Sequence, residues 1–526
     1  MATLPATRPA PSRPAIRGGP AAALGVLSAG AALAAGQLVA ALLSPGSSPY
    51  LAVGDVVVRL SPQWLTRFAT STFGTADKPV LLAGMGVVIA LVAVAAGLAS
   101  RRRATPGVAV LAGLGVLGGV AVAAAPGFGP ADLLAPATAL LVGAGTFWWL
   151  HGLATADAAG PGDGTGRSVS RRAVLVGSSV AVGVASLAAT AGGVLLGGGI
   201  AESRQAVTAR LARIRPVELA PPVPAGAAFP ELGTPSFHTA NADFYRVDVA
   251  LRIPAQPASA WRMRLHGMVD RELSLTFDDL LARQLVERTI TMTCVSNEVG
   301  GPYISTADFL GIDLRELLLE AGVTPGADQL LSTSLDGWTA GTPLDVLLEP
   351  GRGAMIAVGM NGEALPAEHG FPVRMVVPGL YGFVSATKWL ADLEVTTFAD
   401  RQSYWLQRGW AQRAPIKTQC RIDSPLGFAA VPAGRVDVAG IAWSQPIGVS
   451  AVEVRADGGA WQRAELSTEV GGNTWRMWRT AFDLGPGSHT VQARATDRDG
   501  RTQTEQRAEP IPDGAAGWPG RIFNVT

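Results

Sequence analysis

Three blocks of different texture predict a multi-domain chain: an N-terminal transmembrane helical bundle, an α+β domain and a C-terminal β-sandwich. In the first block, residues 1–200, Ala, Gly, Val and Leu form runs long enough to cross a bilayer, which takes roughly 20 residues per helix. In the second, short strand-like and helix-like runs alternate. In the third, short alternating strands are separated by Gly- and Asp-containing turns, the pattern of a sandwich. The whole chain is 48% hydrophobic and 16% charged with 64 glycines, and that apolar bias sits almost entirely before residue 200.

The first block reads as five spans, over 21–43, 80–100, 108–125, 133–150 and 173–196. Charge placement supports an odd number. Arg8, Arg13 and Arg17 precede the first span, Arg101, Arg102 and Arg103 follow the second, and Arg167, Arg171 and Arg172 precede the fifth. Five spans put all three clusters on one side, which the positive-inside rule makes cytoplasmic. The chain after residue 196 is then expected on the extracytoplasmic side of the cell membrane, held by a multi-pass anchor in lipid. The spans are nearly free of ionisable residues, which are costly in lipid and mark transport or redox paths. His151, beside Trp148 and Trp149, reads as an interfacial belt residue. Ser170-Arg171-Arg172-Ala173-Val174-Leu175 looks like a twin-arginine export signal, whose route carries folded, cofactor-loaded domains.

Residues 201–235 read as a charged helix followed by a linker carrying Pro221, Pro222, Pro224, Pro230 and Pro235. In the α+β block, 236–410, strands are expected over 288–293 and 373–377, and helices over 276–283 and 313–321. The sandwich block, 411–526, has strands expected over 452–455 and 490–495. The net charge of +1 lacks the basic excess of a nucleic-acid binder.

Two stretches carry chemistry. Thr291-Met292-Thr293-Cys294-Val295-Ser296-Asn297-Glu298-Val299-Gly300-Gly301 ends a β-branched run with a cysteine at a polar loop. A thiolate there suits a soft metal whose other donors come with a cofactor. The alternatives are a buried structural thiol or a disulfide with Cys420, the second of only two cysteines. Farther on, His369-Gly370-Phe371-Pro372-Val373-Arg374 is followed by Val377-Pro378-Gly379 and by Lys388-Trp389-Leu390. There an Arg fork and a Lys point charge converge beside Gly/Pro turns, a combination suited to an anionic ligand.

Taken together, these stretches resemble the sulfite oxidase family of molybdopterin enzymes over roughly residues 237–526. The resemblance implies a molybdenum–molybdopterin cofactor with Cys294 as the protein's metal ligand. It implies contacts to the pterin from Asn241, Phe244, Tyr245, His369, Arg374, Ser385 and Lys388, and an immunoglobulin-like dimerisation domain at the C-terminus, hence a homodimer. Between Gly382 and Lys388 this chain is one residue longer than the animal enzymes. Two departures bear on the substrate. The family's Asn-Arg-Arg run after the cysteine is here Asn297-Glu298-Val299, and Trp410 stands where the pocket tyrosine is expected, with Arg408 matching the pocket arginine.

The expected activity is two-electron oxygen-atom transfer on a small sulfur or nitrogen oxo compound, with an external electron donor or acceptor. A periplasmic-type sulfoxide reductase and a non-catalytic membrane-tethered binding protein are the competing expectations.

Overall fold

A computed structural model of the chain describes residues 15–43, 45–73, 76–125, 128–156 and 199–526. Its contacts divide into two units, Met1–Gly198 with Val249–Pro254, and Gly199–Asp248 with Ala255–Thr526.

In the first unit, four helices are long and apolar enough to cross a membrane: Gly18–Leu43, Asp77–Ala99, Thr105–Ala123 and the 130–155 stretch. Two shorter helices, Pro49–Leu60 and Gln63–Phe73, lie between the first and second of these. The fifth expected span and the Arg171-Arg172 motif lie outside the described residues. Without lipid-tail hydrophobicity to drive helices together, small residues must let backbones approach. A Cβ on Gly25 would overlap the Ala93 carbonyl, and one on Gly97 would overlap that of Ala21. The first and second long helices therefore meet along a glycine contact.

His151 corrects the expectation of an interfacial residue. It is 6% exposed, its Nε2 is 2.7 Å from the Ser100 carbonyl, and it stacks on Phe147. Trp148 and Trp149, its neighbours, are the exposed ones, at 71% and 52%. The helical turn places His151 one face round from the tryptophans, against the carbonyl left open at the end of Asp77–Ala99.

The second unit holds four sheets. The cysteine strand, Val286–Thr293, pairs antiparallel with Ile304–Asp313. That strand pairs with Met355–Met360, which in turn carries Glu363–Ala364 and Arg374–Val376. A second five-stranded sheet places Arg262–Gly267 parallel to Leu390–Thr396 and antiparallel to Leu273–Thr276. Short helices start on side-chain caps, Phe277–Leu281 on Thr276 and Leu314–Ala321 on Asp313. The remaining two sheets, of four and five strands, lie C-terminal to residue 418 and share one core. Ile422, Val438 and Trp478 of one sheet pack there with Val452, Val491 and Phe523 of the other.

The expected linker is corrected. Helix Gly199–Leu211 buries Val207 and Leu211, and Ala227 and Phe229 lie in the same core as the two α+β sheets. Proline fixes the extended path, yet the apolar residues between the prolines bury onto the domain instead of spacing it off.

Candidate functional site

Val286–Thr293 becomes fully buried along its C-terminal half, and Cys294 follows at its end. The loop that turns away from it is closed on itself. The Cys294 carbonyl accepts from Asn297 N at 3.0 Å, Asn297 Oδ1 accepts from Tyr303 N at 2.8 Å, and Cys294 N donates to the Tyr303 carbonyl at 3.0 Å. Gly300 supplies the left-handed turn (φ 77°), and a Cβ on Gly301 would press on Asn297 Oδ1 at 2.6 Å. Cys294 is 8% exposed, and its Sγ accepts from Ser296 N at 3.4 Å. Burial pushes the thiol pKa up, opposed by the Ser296 hydrogen bonds and by the charge of Lys388. Both cysteines are free, so the disulfide alternative is excluded.

A cationic group gathers near this thiol. Arg374 is 3% exposed, donates Nη1 to the His369 carbonyl at 3.1 Å and lies 5.7 Å from the centre of the Phe309 ring. Its Nε has no hydrogen-bond partner, and among the described residues Arg374 forms no ion pair. Burial lowers its pKa to about 10. Lys388 donates Nζ to Asp248 Oδ2 at 2.8 Å and to the Glu368 carbonyl at 3.1 Å. Burial brings its pKa down to about 8 against the pull of Asp248. His369 is 3% exposed, and burial, helped by Arg374 and Lys388, takes its pKa down to about 4. It is therefore neutral at pH 7. Gly370 (φ 112°) makes this convergence possible, since a Cβ there would meet Arg374 Cβ at 3.0 Å and Lys388 Cα at 3.1 Å.

The early residues sit beside these. The Asn241 carbonyl is 3.2 Å from His369 Nε2, and its side chain is engaged by Asn361 Nδ2 and Glu363 Oε1, both at 2.9 Å. Phe244 meets the His369 ring edge-on at 5.3 Å and stacks on Tyr245. The Tyr245 hydroxyl lies in the fields of Cys294 and Arg374, and desolvation raises its pKa. Ser385 donates Oγ to the Leu380 and Tyr381 carbonyls, at 3.1 and 3.0 Å, a fold-holding pair of bonds. Trp410 stacks on Trp405 at 4.2 Å and meets Phe383 edge-on at 5.0 Å, its buried Nε1 unpartnered. Arg408 donates to the Tyr404 carbonyl at 2.8 Å and lies over the Tyr404 ring. Cys294, Tyr245, His369, Arg374 and Lys388 are linked by contacts or fields, whereas Arg408 and Trp410 form a separate aromatic group.

Sequence reasoning missed Asp248, the buried counter-ion of Lys388, and Tyr381, a buried phenol in the field of Cys294. An acid 140 residues from its lysine leaves no local signal. Tyr381 lies two residues beyond Val377-Pro378-Gly379, and nothing in its local sequence says that it turns inward.

The donor set fits a large anionic cofactor with a thiophilic metal. A buried guanidinium without a carboxylate costs several kcal/mol until an anion reaches it, and one free thiol accompanies it. Comparison with known proteins agrees. An oxidoreductase molybdopterin binding domain matches residues 250–405. Mouse mitochondrial sulfite oxidase is 31% identical over 311 residues, 50% of this chain and 55% of that enzyme, so the chain spans about half of that relative's length. An uncharacterized oxidoreductase, YuiH, of Bacillus subtilis is 29% identical over 34% of this chain and 81% of its own length. The sulfane dehydrogenase SoxCD of Paracoccus pantotrophus superposes with TM-score 0.49 at 22% identity, covering 58% of this chain and 88% of that one. Residues 250–405 are a molybdopterin-binding oxidoreductase domain, similar to that of the sulfite oxidases.

Proposed function

We propose that this chain is a membrane-anchored molybdenum oxidoreductase that moves an oxygen atom, with two electrons, to or from a small sulfur or nitrogen oxo compound. The observation that carries the reading is a free, buried thiol and a buried guanidinium with no ion pair among the described residues, both acting on Tyr245. Cys294 would ligate molybdenum. Arg374, Lys388 and the neutral His369 would hold the anionic pterin, with Asn241, Phe244, Tyr245 and Ser385 shaping its bed. Bound there, the cofactor supplies the oxo-transfer and two-electron chemistry.

The chain's own residues do the rest. The closed 294–303 loop fixes the direction of the thiol, and Ser296 N–H together with Lys388 opposes the cost of burying a thiolate. Asp248 holds Lys388 in place, and the Asn241 carbonyl holds His369 in one orientation. Burial of Cys294, His369 and Arg374 keeps water away from the thiol and the guanidinium.

The four apolar helices form the anchor in this reading, the catalytic unit is extracytoplasmic, and Arg171-Arg172 directs its export. The two C-terminal sheets are an immunoglobulin-like dimerisation domain, and an external redox protein exchanges the electrons. A specific observation favours sulfoxide reduction as a second reading. Where sulfite oxidases carry Asn-Arg-Arg after the cysteine this chain has Asn297-Glu298-Val299, a less cationic pocket suited to a neutral sulfoxide. The test is turnover by the purified full chain with an oxidised dye and sulfite, and with a reduced dye and sulfoxides or N-oxides. Turnover of one class assigns the direction. A cofactor-loaded chain inert toward all of them defeats both readings.

A further inference from the structure

A cavity of about 510 Å3 lies between the Gly379–Leu380 turn, residues 415–419 and the loops of the C-terminal sheets. None of its lining residues belongs to the group around Cys294. Its size falls within the range of small-molecule sites. Four cationic side chains line it, Arg352, Arg413, Lys417 and Arg501, against one carboxylate, Asp497.

That carboxylate is spent. Asp497 is 2% exposed and accepts from Arg501 N at 2.9 Å and Thr418 Oγ1 at 3.3 Å. The cations pair with Glu349, Asp345, Asp513 and Asp499, whose side chains are all half exposed or more and none of which lines the cavity. Arg413 and Arg501 are themselves more than half exposed, and water-exposed pairs of this kind are worth little, so these two heads can turn inward at small cost. Arg352, 13% exposed, and Lys417, which also donates to the Gly514 carbonyl at 2.6 Å, are held in place at the rim. Behind them the wall is apolar, with Val346, Leu380 and Ile447 among its residues. Low-dielectric walls under a rim of one sign concentrate the field inside the cleft.

We propose that this cavity binds a small organic anion, a carboxylate or sulfonate on an aromatic or branched apolar body. The rim meets the anionic head, and the apolar wall meets the body. Its occupant would lie close to the Cys294 strand, because Gln445, a lining residue, donates Nε2 to the Thr291 carbonyl at 3.1 Å.

The test uses the full chain in zwitterionic-lipid nanodiscs, empty discs as reference, and calorimetric titration of naphthalene-2-sulfonate against naphthalene-2-sulfonamide, its neutral analogue. Because binding is read instead of turnover, the outcome is independent of the oxidoreductase reading. Saturable binding of the sulfonate is expected, with the sulfonamide weaker by about tenfold, the equivalent of one lost charge contact. Arg352→Gln with Arg413→Gln should bring the sulfonate down to the sulfonamide's level, and Ile447→Trp should abolish binding of both by filling the wall. Absence of saturable binding to the wild-type chain overturns the proposal. So does equal affinity for the two probes, a comparison that needs no variant to fold.

Discussion

The chain's two cysteines are both buried and both free, yet their surroundings differ in kind. Cys420 lies within the strand Gln419–Ser424 in the C-terminal core, 0% exposed, and its Sγ donates to Gln503 Oε1 at 3.2 Å. Burial alone sets its pKa, and pushes it far up. Cys294 stands at a strand end, accepts a hydrogen bond at sulfur from Ser296 N and lies in the field of Lys388. One sulfur is a donor in an apolar core. The other is an acceptor in the field of a cation, Lys388. Residue type and burial are therefore uninformative about a thiol's role, and the sign of its neighbours decides.

Substitution at each thiol tests that contrast directly. Cys294→Ser should fold and reach the membrane but lose activity by more than about a hundredfold, beyond the effect of typical outer-shell changes at metal sites. Its Mo(V) EPR signal should change as well. Wild-type turnover would remove Cys294 from the metal. Arg374→Met should cut the pterin content of the purified chain by about tenfold or more, read by fluorescence after oxidative release. The cofactor-free protein should meanwhile be no less heat-stable, since an uncompensated buried charge has been removed. A fall in stability with full pterin content would make Arg374 structural.

His369 gives a pH signature that Cys420's surroundings cannot. Its proton is lost near 6.5 in the unfolded chain and only near 4 in the fold. Between those values the unfolded chain binds more protons, so stability falls as pH drops from 6.5 to 4, by up to about 3 kcal/mol. Urea unfolding of the cofactor-free chain across that window should show the fall, and His369→Gln should flatten it. Lys388, with its pKa near 8, loses its charge as pH rises through that value. Cofactor release from the wild-type chain should accelerate there, with no such inflection in Lys388→Met. The smallest effect is expected at Cys420→Ser. The hydroxyl can keep the bond to Gln503, so stability should change by about 1 kcal/mol and turnover not at all. A large loss of turnover there would break the contrast between the two thiols.

Local signals were legible wherever the physics is local. Long apolar runs gave four described helices, and Thr276 and Asp313 capped the helices their positions announced. The β-branched run before Cys294 became a strand that places the thiol at its end. The charges of the His369–Arg374 and Lys388 segments, close in sequence, also come together in the fold. His151 and the Pro-rich 201–235 stretch misled, since a short apolar or polar segment does not say which neighbour will cover it.

The sequence by itself determined the helices fit for a membrane and the residue types able to hold a metal and an anion, because hydropathy, length and donor chemistry are properties of the chain. Only the tertiary structure decided that Lys388 is neutralised by Asp248, that Arg374 has no carboxylate partner among the described residues and that the two cysteines never meet. Those facts depend on pairings across 100 residues or more, and burial strengthens each of them by stripping water from the charges.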